Sequence, residues 1–223
     1  MKLYTILLIF SCAFTITAQS TYTSHEDSDP EAIRILEQIS SDYTAHKSHK
    51  IDFNFEIELS GQAKEVQKGF LIHQEDNFVL DLDQRRIISD GVTVWLYLKE
   101  DNEVHINDAD FDEDSEIMSP ADIFNLHKSD KYVFALANQL IENGEAVTQI
   151  EGKPLDDDSD YSKLRLTLAD ENKNVKSLKI FSKDGSRYTM VISKMIADVE
   201  ITDKTFYFDP KDHEGVFVED LRF

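Results

Sequence analysis

The side chains able to do chemistry are histidines and carboxylates. Seven histidines are scattered along the chain: His25, His46, His49, His73, His105, His127 and His213. His46 and His49 stand three apart at the end of a helical pattern, a spacing that could hold a metal ion. An exposed pair without an ion is the commoner meaning of that spacing. Asp110, Asp112 and Asp114 have the spacing of the first, third and fifth ligands of a calcium loop. The sixth position is Ser115 instead of the glycine that makes the turn, and the twelfth is Ala121 instead of a bidentate glutamate. Asp156, Asp157, Asp158 and Asp160 are read the same way, so both stretches are expected to be solvated loops and no metal or cofactor is expected. Carboxylate pairs are unavoidable in a chain with 44 acidic residues, and carry no signal for glycoside hydrolysis. Gly-x-Ser-x-Gly, the phosphate-binding loop and His-Glu-x-x-His are all absent. The chain is therefore not expected to be an enzyme. A secreted hydrolase remains as an alternative, requiring a nucleophile and a base converging in a polar pocket.

Cys12 is the only cysteine, and it lies in a targeting segment. Lys2 supplies the positive end, Leu3 to Ile16 the apolar core, and Ile16-Thr17-Ala18 a cleavage site ahead of Gln19. Residues 1–18 are read as a signal peptide, whose removal leaves no thiol, disulfide or Cys-ligated metal. The alternative is lipidation at Cys12 in Ile9-Phe10-Ser11-Cys12. There Phe10 is bulky where such signals carry a small residue, and the preceding apolar core is short. No later run is long enough to span a bilayer.

The net charge of −21 opposes a nucleic-acid partner and docking on anionic lipid. It suits a self-repelling monomer. Aromatics at 10% and hydrophobic residues at 41% are too many for disorder and enough for a sizeable core.

Any site must be positioned by strands. Residues 19–30 read as a polar, flexible tether. Asp29-Pro30 opens a helix over about 30–47, with Ile33, Leu36, Ile39 and Tyr43 at three- and four-residue steps. The helix either covers a sheet or forms a lid over a cavity. From residue 51 the period changes to two. Ile51, Phe53, Phe55, Ile57 and Leu59 alternate with polar residues, and strands follow at 66–73, 77–82, 86–88, 92–98 and 103–106. Gly69 suggests a bulge. Ser119-Pro120-Ala121-Asp122 starts a short second helix carrying Ile123, Phe124 and Leu126. The stretch 132–140 reads as a strand, with a helix over 133–141 as the alternative, and strand patterns resume at 146–150, 162–169, 175–181 and 188–196, with a second turn at Asp184-Gly185. The chain closes on Phe206-Tyr207-Phe208-Asp209-Pro210 and Val216 to Arg222. This makes ten or eleven strands and two helical pieces, and predicts a mainly β fold in one domain, residues 31–223. Whether the interior is filled or hollow stays open at this level.

The strongest local signal is the stretch Ile87-Ile88-Ser89-Asp90-Gly91-Val92-Thr93-Val94-Trp95-Leu96-Tyr97-Leu98. Asp90-Gly91 reads as the centre of a type I′ hairpin turn. The string resembles the central hairpin of the outer-membrane lipoprotein carrier (LolA) family. Lys68-Gly69-Phe70-Leu71-Ile72, Ser119-Pro120, Asp184-Gly185-Ser186-Arg187-Tyr188 and the closing segment fall in the family's order across nearly the whole mature chain. The resemblance implies an unclosed antiparallel β-barrel, a highly curved sheet, with the N-terminal helix and the short second helix as a lid over a hydrophobic cavity. It implies a periplasmic carrier that shields the acyl chains of lipoproteins, or another lipid, between an inner-membrane release complex and an outer-membrane acceptor. One departure stands out. Many members have Lys-Arg-Pro after the second strand, with the arginine holding the lid, whereas this chain has Gln74-Glu75-Asp76. Arg85 and Arg86 are the candidate substitutes. A sensor domain of the same fold, reading a lipid or protein signal of envelope stress, is the alternative.

The residues expected to line the cavity are Phe53, Phe55, Ile57, Phe70, Ile72, Phe78, Leu80, Trp95, Tyr97, Leu164, Leu166, Met190 and Ile192. Leu36, Ile39, Ile123 and Phe124 are expected from the lids. The face assignment depends on register, since one residue of slip exchanges inside for outside. Trp95 and Val94 cannot both point inward.

Overall fold

The computed structural model describes residues 24–109, 124–202 and 204–222. The expected signal segment with Cys12, the first part of the expected tether, the Asp110 to Asp114 acids, the Ser119-Pro120 helix start and Ile123 lie outside them.

One α-helix lies wholly within the described residues, α1 (Pro30–Thr44), and Phe124 and Asn125 are also helical. Asp29 caps it, its Oδ1 accepting from the Glu31 backbone N–H at 2.8 Å, and Pro30 supplies a first helical residue that needs no donor. The helix ends before the expected residue 47, because the backbone is already strand at Ser48. Ala32, Ile35, Ile39 and Tyr43 are buried, with Ile33 and Leu36 at the edges of the stripe.

The strands are β1 (Ser48–Glu58), β2 (Glu65–Gln74), β3 (Asn77–Leu82), β4 (Arg85–Ser89), β5 (Thr93–Leu98), β6 (Glu103–Asp108), β7 (Tyr132–Glu142), β8 (Glu145–Pro154), β9 (Tyr161–Ala169), β10 (Val175–Ser182), β11 (Arg187–Ala197) and β12 (Phe217–Asp220). They form one sheet in the order β12-β6-β5-β4-β3-β2-β1-β11-β10-β9-β8-β7. Two antiparallel meanders, β1 to β6 and β7 to β11, are joined where β1 pairs with β11. The sheet is unclosed, with β12 at one margin and β7 at the other. It is mixed rather than wholly antiparallel, because β12 runs parallel to β6. The four-residue β12 also brings the count to twelve, above the ten or eleven expected.

Two turn features differ from the sequence reading. The Asp90-Gly91 hairpin is present, but only Gly91 takes positive φ, at 83°, so the pair is not a type I′ centre. Asp90 Oδ1 accepts from the N–H groups of Val92 and Thr93 at 2.9 and 2.7 Å and holds the turn from outside its centre. Gly69 sits in unbroken register between Phe53 and Leu82, and no bulge occurs there. Its role is close approach: a Cβ would lie 2.8 Å from both Asp81 O and Phe53 Cζ. The irregularity falls on β11 instead, where Asp52 pairs with Lys194 and Phe53 with Ile192. Ser193 is the extra residue, and its hydroxyl donates to Asp52 O at 2.8 Å.

The core has three clusters. Two lie on the face of the sheet toward α1. One gathers Ile35, Ile39, Phe134, Ile150, Leu164 and Leu168, and the other Tyr43, Ile51, Phe53, Leu71, Phe78 and Leu82. The third lies on the far face of β2 to β6, where Val79, Ile88, Trp95, Val104 and Ile106 meet Phe206 and Phe208 of the closing segment. The far face of β8 to β11 is polar. Lys163 and Arg165 both donate to Glu151 Oε1, at 2.8 and 2.9 Å, and four cations surround the Phe181 ring at 4.9 to 5.6 Å.

Candidate functional site

The site on the α1 face is a roof over a sheet. At its start, α1 is tied to β7. The Asp29 N–H donates to Phe134 O at 2.8 Å, the Phe134 N–H to Ser28 Oγ at 3.0 Å, and His25 Nδ1 to Tyr132 O at 2.7 Å. At its end it is tied to β2, where the Tyr43 hydroxyl is hydrogen-bonded to His73 Nδ1 at 2.9 Å. Between them, Ser40 Oγ donates to Asn125 Oδ1 at 2.9 Å. The Tyr43 ring is stacked between His49 and Phe124, with centroids 4.0 and 3.8 Å away. Burial raises the Tyr43 hydroxyl above the usual phenol range, so it stays neutral. Burial lowers His49 to about 4, with the neighbouring His73 and His46 adding smaller pushes.

Beneath the second half of α1 lies a cleft of about 770 Å³. Ile39, Tyr43, Phe124, Val175, Ile192 and Met195 form its apolar lining, Asp42, Lys173 and Lys194 add charge, and His46 adds a polar ring. Its volume falls within the roughly 300–1,000 Å³ of sites that hold small molecules. A second cleft, about 690 Å³, lies among Lys47, Gln74, Asn77, Asp198, Thr202 and Tyr207. Its mainly polar lining suits it less to an apolar guest.

The residues expected to line one cavity are distributed over the molecule. Ile39, Phe124 and Ile192 line the cleft. Leu36, Leu164 and Leu166 pack in the cluster under α1, and Phe53, Phe55, Phe78, Leu80 and Met190 in the neighbouring cluster on the same face. Phe70, Ile72, Trp95 and Tyr97 pack on the far face with Phe206 and Phe208. The register explains the split: Phe53 pairs with Gly69 and Phe70 with Asp52, so Phe53 and Phe70 take opposite faces. Ile57 is partly buried near the end of β1 and belongs to none of the three clusters.

Sequence reasoning missed His49, Val175 and Met195 as lining residues, and the Tyr43–His73 tie. His73 had a legible signal, since it is two residues from Leu71 and shares its face. The tie matters because Gln74, Glu75 and Asp76 follow directly. Glu75 takes positive φ, 54°, in the turn between β2 and β3. Arg86 holds no lid: it lies on the far face, its Nε 3.4 Å from Asp81 Oδ2. The His46 and His49 rings meet edge to face with centroids 5.9 Å apart, and they are not an exposed pair: His46 Nδ1 lies 2.8 Å from Asp198 Oδ2, while His49 is buried and stacks on Tyr43.

A family model described as Outer membrane lipoprotein carrier protein LolA matches residues 45–209. No curated protein sequence matches the chain. Among solved structures, an uncharacterized conserved protein from Thermus thermophilus is similar at a TM-score of 0.55 and 9% identity, covering 85% of this chain and 99% of that one. That likeness concerns the fold. LprF from Mycobacterium bovis aligns at 0.47 and 15% identity, covering 80% of this chain and 99% of that one. A LolA superfamily protein from Nitrosomonas europaea aligns at 0.42 and 13% identity, covering 79% and 97%.

Proposed function

Given that this chain belongs to the Outer membrane lipoprotein carrier protein LolA family, we propose that it is a periplasmic carrier sheltering the acyl chains of lipoproteins beneath α1. The reading rests on one observation, the partly apolar cleft of about 770 Å³ under the second half of the helix. The chain acts by binding and release, without chemistry on its cargo. It is exported by the segment 1–18, which is removed.

The energetics suit a carrier. Burying one methylene is worth ~0.8 kcal/mol, so about ten give roughly 8 kcal/mol, near micromolar affinity. A membrane offers an acyl chain the same gain. Transfer is therefore close to thermoneutral, and direction comes from the inner-membrane donor and outer-membrane acceptor. Opening the roof is feasible on the same scale. Each of the Tyr43–His73 and Ser40–Asn125 bonds is worth about 1 kcal/mol net, so two or three buried methylenes offset both. The Tyr43–His73 tie takes the place of the missing arginine as the link between helix and second strand.

The test uses delipidated protein and a hydrophobic dye, displaced by a diacylglyceryl peptide. The expected result is micromolar displacement, lost in Ile192→Glu with the far-ultraviolet dichroism unchanged. Absence of dye binding by folded protein, together with no lipid in an organic extract of freshly purified material, overturns the proposal.

A further inference from the structure

Among the described residues, one group of three metal-donating side chains converges, and it lies far in sequence from the roof: Glu103 and His105 on β6 with Glu219 on β12. Backbone pairing assembles it. Glu103 and His105 are two residues apart on a strand and so share a face, and Glu219 stands opposite His105 in the parallel register of β12. One ligand atom from each lies within 4.8 Å of the others. His105 Nε2 is 2.6 Å from Glu103 Oε1 and 3.4 Å from Glu219 Oε2. Ligands about 2.0–2.1 Å from a tetrahedral ion stand roughly 3.3 Å apart. The second spacing already fits, and the first must widen by less than an ångström.

We propose that Glu103, His105 and Glu219 form a zinc-class divalent metal site that clips β12 to the edge of the sheet. The donor set selects the class. An imidazole with two carboxylates suits a borderline transition ion such as Zn²⁺, whereas Mg²⁺ and Ca²⁺ take oxygen-only shells. Two carboxylates face one imidazole, so the trio keeps negative charge even with a proton on the ring, and a divalent ion balances it. The side chains of His105, Glu103 and Glu219 are 26, 29 and 47% exposed, which leaves water a fourth coordination position.

The position gives the ion a structural task. β12 is a four-residue strand, exposed throughout, at the margin of the sheet. The chain just before it carries Phe206 and Phe208 onto the far-face cluster. An ion bridging β6 and β12 closes that covering segment at its end, as a clasp does. The site is independent of cargo carriage.

The experiment uses tag-free, chelator-treated protein, titrated with Zn²⁺ by calorimetry and with Co²⁺ by visible absorption. One equivalent is expected, with the intense bands of four-coordinate cobalt and no competition from Mg²⁺ or Ca²⁺. At a free Zn²⁺ level about a hundred times Kd, the folded-to-unfolded ratio rises about a hundredfold. His105→Gln and Glu219→Gln should each weaken binding by at least about tenfold, while leaving metal-free unfolding near that of the parent. His46→Gln should leave zinc binding unchanged. No binding by the parent protein, unchanged binding in His105→Gln, or loss in His46→Gln overturns the assignment.

Discussion

The two meanders of this sheet are finished differently. β2 to β5 carry adjacent apolar residues, such as Phe78 with Val79 and Val94 with Trp95, so both their faces are buried. α1 and Phe124 serve one face, and Phe206 with Phe208 the other. β8 to β11 turn most of their apolar residues toward α1, and their far face is largely polar, with ion pairs among Glu151, Lys163 and Arg165, although Val147 is buried there. The returning stretch packs Phe206 and Phe208 onto the far face, and the cleft it leaves beside Phe206 and Tyr207 is mainly polar. A straight helix laid on a bulged, bent sheet touches it along one line and leaves space beside that line. The partly apolar cleft is found where α1 meets β10 and β11, through Val175, Ile192 and Met195.

The comparison can be broken by truncating one apolar side chain to alanine in each region. Phe208→Ala, in the filled far face, should destabilise the protein by about 3–5 kcal/mol, read from the urea midpoint. Ile192→Ala, on the wall of the cleft, should cost nearer ~2 kcal/mol because one side already lacks packing partners, yet it should weaken dye binding where Phe208→Ala does not. Equal losses of stability would remove the distinction between filled and vacant faces. Acid should act next, on the roof. His49 has an ordinary value of about 6.5 in the unfolded chain and about 4 in the fold. Its contribution to stability is complete above about 6.5 and is lost as pH falls toward about 4. The urea midpoint should therefore drop between about pH 7 and 5, and His49→Gln should flatten that part of the slope. Lys163→Ala on the polar far face should be smallest, within about 1 kcal/mol, and diminish further in salt. A larger loss would mean that this face also contributes to the core.

Much of the fold was legible. The change to period two after α1 located β1, and alternation located β9, because each has one wet face. The vacant region was less so. Trp95 and Tyr97 resemble Phe53 and Phe78 in size and apolarity, and a strand apolar on both faces no longer marks which face is which. The information that separates them is the cover, Phe206 and Phe208, more than a hundred residues on. The Tyr43–His73 tie was hidden for a similar reason, since polar partners thirty residues apart leave no periodic trace.

A sheet that does not close on itself has two raw margins able to template another copy, and this one treats them unequally. The first part of β7 is sheltered by the strap from His25 to Asp29, which occupies the carbonyls of Tyr132 and Phe134. The remainder, with Ile141 75% exposed, has no such strap among the described residues, but Asn138, Gln139 and Glu142 interrupt it. Sticky edge-to-edge growth into fibres is thus discouraged on one stretch by occupation and on the other by polar spacers and mutual repulsion between strongly anionic molecules. Clipping the strap should therefore first appear as loss of colloidal solubility.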